Sequence, residues 1–125
     1  ADLLLLNEDN KAVCILEFKK HTLSSPVSEQ CFTNYYPRSD GRKYKRLALL
    51  RDYLASKSNS RILFLVLYYP TQTYIEQQWK LEVIEGNAFS LRATDSFIFE
   101  LPADKSDNEY KKVIEKISQV IAARS

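Results

Sequence analysis

Methionine is missing altogether, and cysteine occurs only twice, at Cys14 and Cys31. Two cysteines cannot build a disulfide framework or a zinc ligand set. Cys14 lies in an apolar, strand-like run and reads as a reduced core residue, which suits an intracellular protein, cytoplasmic or nuclear. Long apolar runs are missing too. The longest, Ile62 to Tyr69, falls far short of the roughly 20 residues that span a bilayer. Leu3–Leu6 is too short for a signal peptide and has no basic leader, so no membrane association is expected. Nor does one sign of charge dominate, since 18 Lys and Arg against 16 Asp and Glu leave a net +2. That balance alone implies no nucleic-acid partner, so any such function must come from how the charges are distributed. With no methionine and a strand starting almost at once, the chain reads either as processed at Ala1 or as a domain of a longer protein.

What remains is ordinary globular material: 45% hydrophobic and 27% charged residues over 125 positions, one domain's worth of chain with enough apolar content for a core. Residues 2–7 and 12–19 are apolar runs joined by Glu8-Asp9-Asn10-Lys11, whose central Asp and Asn favour a tight turn, and together they predict a β-hairpin. Both faces of each strand are largely apolar, as in a sheet covered on two sides. Residues 22–40 show no period and are long for an unstructured link, a property often tied to function; Pro26 after Ser25 suits one helical turn there. Residues 41–57 read as a helix with Tyr44, Leu47, Leu50 and Leu54 on one face. Residues 61–69, stopped by Pro70, read as a buried strand, and a right-handed crossover then sets it parallel to 12–19. In 79–84, Trp79, Leu81 and Val83 alternate with Lys80 and Glu82, as in a half-exposed strand. Glu85-Gly86-Asn87 signals a turn, 88–93 a returning strand and 96–101 a further one. Ser106 to Glu109 forms a capping-box pattern. Behind it Tyr110, Val113, Ile114, Ile117, Val120 and Ile121 recur at helical spacing, so a last amphipathic helix packs on the sheet. The fold class is α/β: a mixed central sheet with an N-terminal hairpin, a crossover helix to a parallel strand and a C-terminal helix.

The hairpin makes a geometric statement. A turn centred between Asp9 and Asn10 pairs residues whose numbers sum to 19, so Asn7 faces Ala12, Leu5 faces Cys14 and Asp2 faces Glu17. Directly opposed side chains share a face with Cβ atoms about 4.5–5.5 Å apart, and Lys19, two residues beyond Glu17, shares it too. Two carboxylates so close repel unless a cation sits with them. Lys19 supplies part of that charge, and a divalent ion more. Two carboxylates with a main-chain carbonyl and waters suit Mg²⁺, which polarises a phosphate oxygen and acidifies a bound water. The expected chemistry is phosphodiester hydrolysis.

Asp2, then fourteen intervening residues, then Glu17-Phe18-Lys19 at the end of an apolar strand resembles the PD-(D/E)xK nuclease superfamily, which includes many restriction endonucleases and Holliday-junction resolvases. The resemblance covers about residues 2–70, including the helix and parallel strand that follow. Ala1 stands in place of the motif's proline. The resemblance implies a restriction-endonuclease-like core and a single nuclease-like domain over 1–125. It makes Asp2, Glu17 and Lys19 catalytic, with Asp2, Glu17 and the Phe18 carbonyl as ligands of Mg²⁺ or Mn²⁺. It also implies an endonuclease acting on DNA rather than RNA, as a homodimer or within a larger parent protein. Some members carry a Gln and then a Tyr after the Lys, approximately echoed by Gln30 and Tyr35. Glu109-Tyr110-Lys111 repeats Glu-x-Lys at a helix start, where Glu109 is already accounted for as a cap.

Around that site, Arg38, Arg42, Lys43, Lys45 and Arg46 place five basic residues within nine positions. Arg42, Lys45 and Arg46 share a helix face that can meet phosphates. With His21, Gln30 and Tyr35 they are the candidate substrate contacts, whereas Tyr68 and Tyr69 belong to strand packing. The bland counterparts are a solvated helix face and a cross-strand ion pair. They lead to two other functions: a catalytically inactive nuclease-like module that binds nucleic acid or a partner protein, or an interaction module using 79–84 as an edge strand.

Overall fold

In the computed structural model, residues 3–21, 26–36, 41–70, 78–100 and 107–124 are described, with the side chains at 21 and 107–110 left aside. Five strands form one sheet whose spatial order follows the chain: β1 (Leu3–Leu6), β2 (Ala12–His21), β3 (Leu63–Pro70), β4 (Gln78–Glu85) and β5 (Arg92–Glu100). Only β2 and β3 are parallel; the other neighbours are antiparallel. The connection between the parallel pair carries α1 (Gly41–Ser58), and α2 (Asp107–Arg124) closes the chain. The α/β class, the parallel pair and both helices are as the sequence implies.

The sheet is covered on both faces, which is why β3 is apolar without alternation. On one side Ile15, Phe64, Val66, Tyr68 and Ile84 pack with Tyr44, Leu47 and Ala48 of α1 and with Val27 and Phe32 of the connecting segment. On the other, Cys14, Leu16, Leu65, Leu67, Leu81 and Val83 meet Val113, Ile117 and Val120 of α2. Cys14 is fully buried, and burial pushes its thiol up to about 12, so it is an inert core residue. No helix among the described residues is long and apolar enough to cross a membrane.

Several local expectations need correction. The hairpin keeps the sum of 19 for Leu3↔Leu16, Leu4↔Ile15 and Leu5↔Cys14, but Leu6 pairs with Ala12. Val13 is therefore an extra residue, a bulge. Its cause is Asn7, whose Oδ1 accepts from the N–H groups of Asp9 and Lys11 while its own N–H donates to the Lys11 carbonyl. Asn7 closes the turn and faces Lys11 instead of Ala12. In α1 the buried face is Tyr44, Leu47, Ala48 and Arg51, at i, i+3, i+4 and i+7, and Leu50 is 39% exposed. Steps of three alone drift around a 3.6-residue helix. Ile114 of α2 is likewise 63% exposed, while the side chains of Glu109 and Tyr110, and Ser106 as a whole, lie outside what is described. The short helix sought after Pro26 is a pair of 3-10 turns, Val27–Glu29 and Phe32–Asn34.

The largest difference lies after β4. Residues 88–93 and 96–101 are not two strands; one strand, β5, runs from Arg92 to Glu100. Asn87 holds the preceding turn, its Oδ1 accepting from Phe89 N–H and its carbonyl from Ser90 N–H, so 88–90 cannot be extended. With β5 paired along it, β4 is an interior strand and not the edge that an interaction module would need. Gly86 makes this turn feasible. It sits at φ +99°, and a Cβ there would lie 2.1 Å from the Ser90 carbonyl oxygen. Replacing Gly86 by Ala is expected to lower stability by about 1–3 kcal/mol, read as an earlier midpoint in urea unfolding; an unchanged midpoint would show that the turn reorganises at no cost.

Candidate active site

Alternation along β2 sends Ile15, Glu17 and Lys19 to the α1 face of the sheet, and the register with β3 sets Glu17 beside Val66 and Lys19 beside Tyr68. Across β3, Val66 pairs with Glu82 and Tyr68 with Lys80. Two rows therefore cross the same face, Glu17–Val66–Glu82 and Lys19–Tyr68–Lys80. Four charged residues sit on the two strands that flank β3, a costly arrangement unless each charge is answered.

Each answer has a physical form. Glu17 is 1% exposed, and the Lys43 ammonium, reaching down from the first turn of α1, stands 2.5 Å from its Oε1. Glu82 is 3% exposed; its Oε1 accepts from the Phe32 N–H at 2.8 Å and from the Tyr68 hydroxyl at 2.5 Å. Lys80 donates to the carbonyls of Gln30 at 2.6 Å and Ser28 at 3.2 Å. Lys80 and Glu82, which alternation marks as solvent-facing, are buried because the segment 26–36 lies over them and supplies backbone partners. Lys19 is half-buried with its ammonium 4.0 Å from the centre of the Tyr35 ring, a cation–π contact. The Tyr35 hydroxyl donates to Gln30 Oε1 at 2.7 Å, and the Tyr35 ring stacks near Tyr68.

Glu17, Lys19, Gln30 and Tyr35 are thus brought to one place. Gln30 is 1% exposed, and its Oε1 accepts from the Tyr35 hydroxyl. Phe18 points to the opposite face, 37% exposed with its ring edge toward Tyr69. Arg42, Lys45 and Arg46 are exposed on α1, Lys45 near the ring of Phe89. The helix residue that meets Glu17 is Lys43, on which the sequence reading placed no role. Its signal is the crossover itself, which starts α1 above the end of β2. Asp2 lies outside the described residues, as does the side chain of His21.

Among the described residues no three His, Cys, Asp or Glu side chains gather as a metal ligand set; the described part of the site offers the carboxylate of Glu17, and that of Glu82, two strands away, is taken up by Phe32 and Tyr68. Its chemistry fits a hard divalent ion: an oxygen donor, buried, already drawing a cation toward it. No protein-family model matches this chain, and neither does any curated protein or solved structure. What the site does must therefore be read from its own geometry.

Burial raises the carboxyl of Glu82 above the usual value of 4.5, outweighing the Tyr68 hydroxyl, Lys80 and the Phe32 N–H, which all pull it down. The Tyr68 phenol is pushed far above its ordinary value by burial and by the Glu82 charge. A carboxyl with a raised folded value holds its proton more tightly in the folded chain. Its stabilisation is complete below the unfolded value and is lost as pH rises through the folded one. The stability difference between wild type and Glu82→Gln, from urea unfolding, should therefore shift against wild type from about pH 4 to about pH 8; a difference moving the other way would show that the donors, not burial, dominate.

Proposed function

We propose that this chain is a metal-dependent endonuclease that hydrolyses phosphodiester bonds, of DNA rather than RNA, on a restriction-endonuclease-like core. The observation that carries the reading is the pairing of Glu17 and Lys19 on one face of β2. The carboxylate is buried beneath Lys43 at the basic start of α1, and Lys19 is half-buried over the Tyr35 ring. A buried acid next to a reachable cation is an unusual thing for a sheet to hold, and it has the order that the Glu-x-Lys motif requires.

In this reading Glu17, with Asp2 and the Phe18 carbonyl, holds Mg²⁺ or Mn²⁺. The ion, when bound, supplies positive charge against the phosphate and acidifies water. The chain's own residues do the rest. Lys19, held over Tyr35, keeps an ammonium positioned to steady charge on the phosphate and to orient the attacking water. Tyr35 and Gln30 set the direction of Lys19 as positioning residues. Arg42, Lys45 and Arg46 are exposed on one helix face and take backbone phosphates further along the strand, a contact that weakens with salt. Nucleic acid is the partner in this reading, within the cell.

The test is cleavage of supercoiled plasmid with Mg²⁺. Glu17→Ala and Lys19→Ala, each checked for folding by circular dichroism, are expected to lower the rate by about 100-fold or more, while binding of DNA in chelator is retained. The exposed basic face of α1 is independent of Glu17, so a module that binds nucleic acid without cutting it is the second reading. Wild type that binds DNA in a salt-dependent way yet leaves plasmid intact would establish that reading and remove the first.

A further inference from the structure

We propose that Lys43 is a built-in place-holder for the divalent ion: its ammonium takes the cation position beside Glu17 when metal is absent and must withdraw when metal binds. The inference rests on the reading of Glu17 as a metal ligand and adds what governs its occupancy.

Three observations lead there. Glu17 is 1% exposed, so its charge cannot be left to solvent. The Lys43 ammonium stands 2.5 Å from Glu17 Oε1, well inside ion-pair distance. Yet the Lys43 side chain is 53% exposed, and it comes from α1, not from the strands that carry the motif. A lysine is a hydrated point charge on a flexible stem; one half in water can swing out without opening the core. Arg51, on the same helix, is the contrast. Its side chain is 10% exposed, and its guanidinium is fixed on the Gly86 carbonyl and beside Asp52.

An ammonium and a divalent ion drawn to the same buried carboxylate repel each other, and moving the ammonium off Oε1 frees that oxygen for the metal. Metal binding is therefore a competition, and Lys43 weakens it by the strength of its own hold on Glu17. The competition also runs the other way. A phosphate group of the substrate, offering Lys43 a second anion at the surface, draws it off Glu17 and strengthens metal binding by the same factor. Lys43 thus couples metal occupancy to the presence of nucleic acid, and keeps the acid compensated in its absence.

Mn²⁺ binding measured by titration calorimetry on wild type, Lys43→Met, Lys43→Arg and Glu17→Gln tests this. Lys43→Met is expected to bind Mn²⁺ about tenfold more tightly than wild type, and to melt earlier than wild type in chelator. Lys43→Arg should remain near wild type, and Glu17→Gln should not bind. Should Lys43→Met not fold, amine acetylation of wild type, mapped by mass spectrometry, gives the same answer: Mn²⁺ is expected to raise labelling of Lys43 and leave Lys57 unchanged. If wild type binds Mn²⁺ but Lys43→Met binds it equally or more weakly, or Lys43 labelling does not respond, the place-holder role is wrong while the metal site stands. If no protein in the set binds Mn²⁺, the metal site itself is wrong and the place-holder falls with it.

Discussion

The carboxylate of Glu82 sits in the middle of the sheet, on an interior strand, where neither water nor a metal ligand set among the described residues relieves it. It is tolerated because two donors converge on one of its oxygens, the N–H of Phe32 and the hydroxyl of Tyr68. Those donors belong to different parts of the chain. Tyr68 comes from the adjacent strand, and Phe32 from the irregular segment that follows β2. The bond to Phe32, with the bonds from Lys80 to the carbonyls of Ser28 and Gln30, draws that segment flat onto the sheet. Once it is there, Phe32 stacks with Tyr36 and meets Tyr44 edge-on, and Tyr35 comes over Lys19. The position of the candidate ammonium thus descends from a buried acid two strands away.

This arrangement explains why a region with no period and no long helix is nonetheless ordered over 26–36. Its 3-10 turns are closed by backbone bonds of their own, Glu29 N–H to the Pro26 carbonyl and Tyr35 N–H to the Phe32 carbonyl among them, and side chains of the sheet satisfy groups that those turns leave over. Two short 3-10 turns leave several such groups without internal partners, and Lys80 and Glu82 are the complementary pair that meets them. A cation takes the carbonyls and an anion takes an N–H, so the two strand residues act as a matched clamp on one loop.

Much of the fold was legible because it depends on local pattern. The hairpin, the apolar strand ended by Pro70, the helix after Gly41 and the repeat from Val113 to Ile121 all follow from spacing and turn chemistry. The crossover rule then supplied the parallel pair. What escaped depends on partners distant in sequence. Lys80 and Glu82 have the strict alternation of a solvent-facing row, and nothing within 78–85 tells that a segment some 50 residues earlier covers them. Arg51 is buried because Gly86 offers a carbonyl, a fact absent from the helix's own period. The bulge at Val13 comes from Asn7 using its side chain to close the turn, which competes with the simple two-strand count. For the candidate site, Glu17 and Lys19 were visible as a motif on one strand face. Lys43 was not, because a basic run on a helix start carries no sign of which member turns inward.

One feature of α1 bears on how such a site keeps its shape. The helix is attached to the sheet by polar contacts at two levels, Lys43 to Glu17 near its start and Arg51 to the Gly86 carbonyl lower down. Eight residues separate them, about 12 Å along the axis. The lower level is held by a rigid, planar group, and the buried ring of Tyr44, next to Lys43, packs on Phe32 and Phe64. The upper attachment is a flexible stem half in water, so the helix pairs a stiff mounting with a looser fingertip.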